Sequence, residues 1–244
     1  MGILTAGLML AWLASTPPAL AARSAVAHQE PPAVLNVVRH KLKPGTTHSY
    51  EALEASIVAA YEQAKVPLFW VMLQSRTDPT DIVYLNVADS IDEWASLPAR
   101  YRKAAAVHTE LDKMSARLAT FIERSVSTLT TRRDEIPFGR LGADLQNMRG
   151  LRLTVFDLKP GHEGRFVNAA RTAAGSGASW LLYEATDAPT FMLVAPLKST
   201  SRVKKMPAVP HRLQGIDNGL LPTADGVYAV RPQMSHPPKA WRIR

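Results

Sequence analysis

The side chains best suited to chemistry lie on predicted strands in the first half of the sequence. His40 stands near the end of the first of these strands, where an imidazole could act as a general base, a metal ligand or a haem ligand. Its neighbours are Arg39 and Lys41, and the sequence identifies no partner for it. An exposed histidine at a strand end is therefore the favoured interpretation, and His40 is a weak candidate for a catalytic residue.

Aromatic side chains form a second group of candidates. Trp70 and Trp180 lie on predicted strands, Trp94 lies on a predicted helix, and Tyr84 faces the segment that carries Trp70. Rigid rings could line a cavity for an apolar ligand, although core packing is the usual role of a tryptophan on a strand. The candidate ligand-binding residues are Trp70, Trp180, Tyr84 and Asn36, with core packing as the alternative for the tryptophans.

Composition and spacing exclude several kinds of site. The chain has no cysteine, so disulfides, thiolate nucleophiles, iron–sulfur clusters and thiolate zinc sites are excluded. Its seven histidines include no pair at the i, i+4 spacing of a helical zinc site, and no metal site is expected. The net charge is +8, but the basic residues are scattered and not interleaved with aromatic residues, so no nucleic-acid partner is expected.

A repeated pattern predicts the elements that must position these side chains. Residues 34–45 and 151–161 are both apolar strand patterns that end in Lys-Pro-Gly. Because proline fixes φ and glycine accepts a positive φ, each strand must stop and turn there. Helical spacing follows each turn, and then come strands at 68–75 and 179–184, each with a tryptophan. The order strand, helix, strand, strand, helix, strand is predicted twice.

This duplicated order, in which each copy opens with a strand and Lys-Pro-Gly, resembles the dimeric α+β barrel superfamily. Its members include antibiotic-biosynthesis monooxygenase-like, NIPSNAP-like and chlorite-dismutase-like proteins, and the resemblance extends to exported bacterial tandem-repeat relatives. It covers about residues 34–133 and 151–234, and the run Arg231–Pro238 is similar to a tail of such relatives. The implied fold class is α+β, with two tandem ferredoxin-like βαββαβ modules packed sheet to sheet as an α+β barrel.

The resemblance also implies activities. Members of the monooxygenase-like group oxidise aromatic or quinol substrates without a metal, and haem-degrading relatives use an Asn, His and Trp set. Asn36, His40 and Trp70 supply these residue types. No cofactor is expected from the residues themselves, and haem is the one that the resemblance allows.

The N-terminus is typical of a signal peptide. An apolar run at 3–13 is followed by two prolines and by the small-x-small pattern Ala19-Leu20-Ala21. Because the run is too short for a permanent membrane anchor, a periplasmic or secreted protein is expected. The predicted division is 1–22 signal peptide, 23–33 flexible leader, 34–133 first module, 134–150 linker, 151–234 second module and 235–244 C-terminal tail.

Three functions follow, in order of preference. The first is binding of a small apolar or aromatic molecule or of a protein partner. The second is a cofactor-independent or haem-dependent monooxygenase-like enzyme with His40, Trp70 and Trp180 at the cavity, and the third is a structural self-association module. A monomer with paired modules and a homodimer are both open. The barrel interior is the expected place of any function, and a filled barrel would remove the enzyme hypothesis.

Overall fold

The computed structural model describes residues 30–65, 68–103, 105–137, 145, 147–175, 180–200, 213 and 222–237. The predicted signal peptide lies outside these residues, as do most of the leader and parts of the predicted linker and tail. Export and the domain boundaries therefore stay predictions. None of the described helices combines the length and the apolar character that crossing a membrane requires.

Twelve regular elements are found in the described residues. In chain order they are β1 (Val34–Leu42), α1 (Thr47–Ala64), β2 (Trp70–Ser75), β3 (Asp81–Ala88), α2 (Ile91–Lys103), α3 (Ala105–Ala119), β4 (Ile122–Arg132), β5 (Gly150–Asp157), α4 (Glu163–Ala174), β6 (Leu181–Ala185), β7 (Thr190–Leu197) and β8 (Ala224–Val230). A short 3-10 helix, Pro232–Met234, follows β8.

Two glycines stop the first strand of each half. Gly45 follows β1 with a φ of +78°, and Gly161 follows β5 with a φ of +88°. These conformations favour glycine, because at positive φ a Cβ atom comes too close to the neighbouring carbonyl oxygen. The predicted Lys-Pro-Gly turns are confirmed at these two positions, whereas the wider internal repeat stays a prediction.

All eight strands join in one antiparallel sheet that closes into a barrel. Their order around it is β1-β3-β2-β8-β5-β7-β6-β4. Hydrogen bonds between β2 and β8 join the two halves at one seam, where Leu73 pairs with Val230. Bonds between β4 and β6 join them at the other seam, where Thr131 pairs with Glu184.

The closed sheet corrects the predicted fold class. Two ferredoxin-like modules packed sheet to sheet would place two separate sheets face against face, each with open edges. In the structure the edges of the two halves bond to each other, which pairs the backbone N–H and C=O groups that an open edge leaves unpaired. The molecule is one closed antiparallel β-barrel with four described helices, three of them in the first half, and two ferredoxin-like modules are not evident in it.

Alternation along the strands divides the side chains between the barrel interior and two outer layers. The interior core includes Leu35, Leu73, Leu85, Leu153 and Tyr183. Helices α1 and α3 pack on the outer face of the first half, and α4 packs on the outer face of the second. The strands β1, β2, β3, β5, β6 and β7 thus contribute buried apolar side chains both to the interior and to an outer core.

Candidate functional site

The barrel interior leaves little room for a ligand. Buried Leu, Val, Met and Tyr side chains fill most of its length, and Leu145 and Met148 from the connection between β4 and β5 also pack into it. A pocket of about 280 Å³ remains at one end, between Arg39, Val126 and Tyr228. Among the described residues the interior is therefore packed for most of its length, and the expectation that the function lies in the interior stays a prediction.

A larger pocket lies outside the barrel, between the outer face of β2 and β3 and the helices α1, α2 and α3. Its volume is about 560 Å³, and we call it the helix-face pocket. Five aromatic rings line it: Tyr61, Phe69, Trp70, Trp94 and Tyr101. Its polar side chains include those of Asn86, Asp112 and Ser115. Apolar walls with a few polar groups are typical of a small-molecule site.

The aromatic rings of the helix-face pocket hold one another in place. Tyr61 meets Trp70 edge to face, with 5.0 Å between ring centroids and 87° between ring planes. Tyr61 also stacks on Tyr101, with 6.2 Å between centroids and 17° between planes. Both arrangements are favourable for aromatic pairs. The wall that these rings form across α1, β2 and α2 is therefore ordered by its own contacts.

A row of three residues crosses the sheet beneath the helix-face pocket. Asn86 pairs in register with Asn36 of β1 and with Trp70 of β2. The side-chain amide of Asn86 donates to the main-chain oxygen of Asn36 at 3.2 Å. The side-chain oxygen of Asn36 accepts a hydrogen bond from the Ser127 hydroxyl at 2.8 Å. Asn86 is therefore a polar group at the floor of the pocket, and the main chain of Asn36 on the neighbouring strand holds its amide in place.

A buried chain of hydrogen bonds runs beside the helix-face pocket, between α1 and the sheet. His40 Nδ1 lies 2.9 Å from the Tyr50 hydroxyl, and the hydroxyl oxygens of Tyr50 and Tyr84 are 2.6 Å apart. The Tyr84 hydroxyl interacts in turn with the Glu54 carboxylate, as does the Trp70 indole, and both interactions act to lower the pKa of that carboxylate. We call His40, Tyr50, Tyr84 and Glu54 the polar chain. It ends against Trp70, which is a wall of the pocket.

Burial sets the protonation states along the polar chain. Loss of water around the Glu54 carboxylate raises its pKa to about 7, although the hydrogen bonds from Tyr84 and Trp70 act in the opposite direction. Burial lowers the pKa of His40 to about 4, and it raises the pKa values of Tyr50 and Tyr84. Near neutral pH the histidine and both phenols are therefore uncharged, and Glu54 is the group that gains and loses a proton.

The C-terminal segment fastens Trp70 from the other side. The backbones of Trp70 and His236 exchange two hydrogen bonds, of 2.9 and 3.0 Å. The indole N–H of Trp70 also donates to the Met234 carbonyl at 3.0 Å. His236 Nδ1 lies 2.7 Å from the Leu68 carbonyl oxygen, and its ring stacks on Phe69. The position of Trp70 therefore depends on residues near the end of the chain.

The structure brings five of the six side chains named as candidates from the sequence to one side of the molecule, and one of the five is Trp94, which lines the helix-face pocket. Trp70 lines the helix-face pocket, His40 and Tyr84 belong to the polar chain, and Asn36 supports the floor. Trp180 lies apart from them, buried in the core between α4 and the second half of the sheet. His40 has a buried hydrogen-bond partner that its sequence neighbours did not reveal. The ligand-binding or catalytic roles of these residues stay predictions.

Several residues of the site were missed by the sequence reasoning. Tyr50, Glu54 and Tyr61 follow one another along α1 at steps of four and seven residues. A carboxylate on that otherwise apolar face is a signal that could have been noticed, and so is Asn86 on the otherwise apolar outer face of β3. Tyr101 carries no such signal, because its place at the pocket depends on how α2 crosses the sheet.

The described lining of the helix-face pocket does not fit haem iron. His, Cys, Met or Tyr side chains hold haem iron in proteins, and the described lining contains no His or Met. An adjacent imidazole, that of His236, is buried against Phe69 and Trp70 with its Nδ1 engaged. Burial raises the pKa values of Tyr61 and Tyr101, which disfavours a phenolate ligand. The described residues also contain no group of three His, Asp or Glu side chains placed to hold a metal ion.

Comparison with known proteins gives matches among solved structures alone. No family model matches the chain, and no curated protein matches it. A Fusobacterium nucleatum protein provisionally named a monooxygenase is similar at 13% identity with a TM-score of 0.52, over 81% of this chain and 91% of its own. An anthrone oxidase-like protein is similar at 11% identity with a TM-score of 0.50, over 83% of this chain and 93% of its own. A mutant chlorite dismutase of Candidatus Nitrospira defluvii is similar at 12% identity with a TM-score of 0.48, over 89% of this chain and 97% of its own.

These neighbours belong to the dimeric α+β barrel superfamily. At identities of 11% to 13% the similarity shows the fold alone. The shared fold agrees with the predicted resemblance to that superfamily. Membership of the superfamily stays a prediction, as do the relationships to NIPSNAP-like and tandem-repeat members.

Proposed function

We propose that the chain binds a planar aromatic molecule in the helix-face pocket and oxidises it with dioxygen, as a monooxygenase-like enzyme that needs no metal or organic cofactor. One observation carries the proposal: a pocket of about 560 Å³ with walls of five aromatic rings and the amide of Asn86 at its floor. The descriptions of the fold neighbours, as a provisional monooxygenase and as anthrone oxidase-like, support this class of reaction.

The lining favours a flat ligand with few polar groups. Small-molecule sites typically have volumes of roughly 300–1,000 Å³, so the helix-face pocket is large enough for fused rings. Tyr61, Trp70 and Trp94 present aromatic surface to such a ligand. Asn86 and Ser115 are able to hydrogen-bond an oxygen substituent, such as a ketone or a phenol.

An aromatic substrate with an acidic methylene group supplies the electrons for this reaction itself. In the balanced step, one methylene group and one molecule of dioxygen give one ketone and one molecule of water. Both C–H bonds of the methylene carbon and the O–O bond break. One oxygen atom forms the new carbonyl bond, and the other leaves as water with both methylene hydrogens. Dioxygen is therefore the sole co-reactant and is reduced, and the carbon is the group oxidised.

The part of the protein in this step is to bind the substrate, to favour its deprotonation and to keep bulk water away. The aromatic walls of the helix-face pocket bind the substrate and keep bulk water away from it. Asn86 favours deprotonation of the substrate, because a hydrogen bond to a substrate oxygen stabilises the negative charge that deprotonation leaves there.

Oxygen consumption with an anthrone-type substrate tests the activity. We expect the purified full chain to consume dioxygen and to form a ketone product that carries oxygen-18 from labelled dioxygen, detected by mass spectrometry. Asn86→Ala should lower kcat about tenfold or more, because it removes the polar group at the pocket floor. Asn168→Ala, at an exposed position on α4, is the matched control. Turnover no faster than in buffer alone would contradict the proposal.

A second candidate function is ligand binding without turnover. The observation that favours it is that the buried carboxylate of the polar chain, Glu54, is not among the residues that line the helix-face pocket. Aromatic binding without oxygen consumption would select this function. The self-association module and the choice between monomer and homodimer stay predictions.

A further inference from the structure

We propose that the polar chain is a proton relay that links Glu54, behind the wall of the helix-face pocket, with His40, the member of the chain that keeps partial solvent exposure. Its effect on catalysis rests on the proposed function and is indirect, because Glu54 acts on Trp70, a wall of the pocket, and does not itself line the pocket. The relay itself is a property of the free protein and is tested without a ligand.

The polar chain contains two short hydrogen bonds, and its third link is the interaction of Tyr84 with the Glu54 carboxylate. The distance from His40 Nδ1 to the Tyr50 hydroxyl is 2.9 Å, and that between the Tyr50 and Tyr84 hydroxyls is 2.6 Å. The exposed fraction is 0% for Tyr50, 8% for Tyr84 and 3% for Glu54. Because bulk water is excluded from these bonds, and because a hydroxyl accepts one hydrogen bond while it donates another, the chain meets the requirements of a relay.

The polar chain has two self-consistent directions of donation. When Glu54 is ionised, Tyr84 donates to Glu54, Tyr50 donates to Tyr84, and His40 donates from Nδ1 to Tyr50. When Glu54 carries a proton, every donor becomes an acceptor, so that His40 Nδ1 accepts and Nε2 carries the ring hydrogen. Passage from the first state to the second takes one proton from solvent at Nε2 and delivers one proton to Glu54.

The side chains that interact with the Glu54 carboxylate are neutral near pH 7. Tyr50, and at longer range Tyr61, face it from α1, Tyr84 faces it from β3, and Trp70 faces it from β2. None of the ion pairs among the described residues involves Glu54. Burial and hydrogen bonding therefore set the pKa of Glu54, and no ion-pair partner among the described residues holds it ionised.

The two ends of the polar chain titrate in separate ranges. The rings of Tyr50 and Tyr84 cover His40, and burial lowers its pKa to about 4, whereas burial raises the pKa of Glu54 to about 7. Between these values His40 is neutral and Glu54 is protonated. Above about 7, His40 is still neutral and Glu54 is ionised. The direction of donation therefore reverses while the histidine stays uncharged.

Trp70 connects the relay to the helix-face pocket. Its indole N–H donates to the Met234 carbonyl at 3.0 Å, and the indole also interacts with the Glu54 carboxylate, which acts to lower the pKa of Glu54. A carboxylate attracts that N–H more strongly than a protonated carboxyl does, so the charge of Glu54 acts on a pocket wall. Glu54 does not line the pocket and is therefore a positioning and proton-storing residue.

Nitrogen-15 NMR of His40 in the full chain tests the relay. The shifts of the two ring nitrogens distinguish the Nδ1–H from the Nε2–H form of a neutral imidazole. We expect the Nε2–H form at a pH between about 4 and about 7 and the Nδ1–H form above about 7. If His40 keeps one form across this range, the proposal is overturned.

Two variants separate the relay from a local effect at His40. Tyr84→Phe removes the middle hydroxyl, and Glu54→Gln removes the titrating group, so each should hold the neutral ring of His40 in a single form. Tyr183→Phe is the control, because Tyr183 is a buried tyrosine that donates to the Pro32 carbonyl outside the polar chain. A change of form that persists in Glu54→Gln overturns the proposal even if Tyr84→Phe does not fold.

Turnover then links the relay to the proposed function. With an oxidised substrate, Glu54→Gln should flatten the pH profile of kcat near neutrality, because it removes the charge that acts on Trp70 at the pocket wall. A protein whose His40 changes form but that neither binds nor oxidises an aromatic molecule contradicts the proposed function alone. A protein that oxidises its substrate while His40 keeps one form contradicts the relay alone.

Discussion

Tyr61 and Trp70 meet edge to face, with 5.0 Å between their ring centroids, where α1 passes over β2. The same tryptophan is fastened by main-chain hydrogen bonds to His236 and by its indole N–H to the Met234 carbonyl. One wall of the helix-face pocket is therefore assembled from α1, from β2 and from the C-terminal segment. Changes in any of these three parts of the chain should affect ligand binding.

Tryptophan fluorescence should report binding in the helix-face pocket. Trp94 lines the pocket, whereas Trp180 is buried in the core under α4. We expect a planar aromatic ketone to quench the wild-type emission, and we expect Trp94→Phe to lose a large share of that quenching, because energy and electron transfer require proximity. Trp180→Phe should keep it. Equal losses in the two variants would place the ligand elsewhere.

The C-terminal segment should contribute to stability through His236. The variant His236→Ala lacks the imidazole ring, and with it the contact with the Leu68 carbonyl and the stacking on Phe69. We expect its free energy of unfolding in urea to be lower than that of the wild type by about 1–3 kcal/mol. His48 is exposed on α1, so His48→Ala should stay within about 0.5 kcal/mol of the wild type. Equal stabilities of the two variants would show that the segment does not fasten the wall.

Glu54 and His40 should act in opposite directions on the pH dependence of stability. The pKa of Glu54 rises from 4.5 to about 7 on folding, so the folded chain binds more protons in this range and stability falls as pH rises through it. The pKa of His40 falls from 6.5 to about 4, so stability rises with pH through that range. In the wild type the two contributions partly cancel where the ranges overlap.

Glu54→Gln should therefore expose the contribution of His40. Between about pH 4.5 and about pH 6.5 we expect the unfolding free energy of this variant to rise with pH more steeply than that of the wild type, by on the order of 2–3 kcal/mol over the range. His40→Asn should show the opposite, a net fall with pH. Identical pH profiles for the wild type and Glu54→Gln, measured by urea unfolding, would contradict the raised pKa of Glu54.

Haem should not bind in the helix-face pocket. The described lining offers no imidazole, and His236 is engaged with the Leu68 carbonyl behind the pocket wall. We expect a titration of the purified protein with haem to leave the visible absorption of haem as it is in buffer. A saturable change in the haem spectrum that is lost in His236→Ala would contradict this expectation and restore a haem-dependent enzyme as a hypothesis.

The strands and their turns could be predicted from the sequence, because alternation and turn residues act locally. The strand pattern that begins at residue 34 is β1, and the tryptophan-bearing segment at 68–75 contains β2. The closure of the barrel could not be predicted, since it depends on pairs such as Leu73 with Val230 that are distant in the sequence. No local pattern specifies such a pair.

The candidate site was predictable in part. Trp70 and Trp180 occupy similar positions in the sequence pattern, yet Trp70 lines the helix-face pocket and Trp180 is buried in a core. The difference arises because α2 and α3 stand over the first half of the sheet and make room for a pocket there. The hydrogen bond from Trp70 to Met234 joins residues 164 positions apart. Residue-spacing patterns predict only contacts within one helix or strand and could not have indicated it.

Binding in the helix-face pocket can be blocked by a side chain of the pocket itself. Ala95 lines the pocket on α2, and Ala99, one helical turn further, is exposed but does not line it. In calorimetric titrations with an anthrone-type ketone, we expect Ala95→Trp to raise the Kd at least about tenfold, which corresponds to about 1.4 kcal/mol. Ala99→Trp should leave the Kd unchanged. Equal affinities for the wild type and both variants would contradict the assignment of the aromatic site to this pocket.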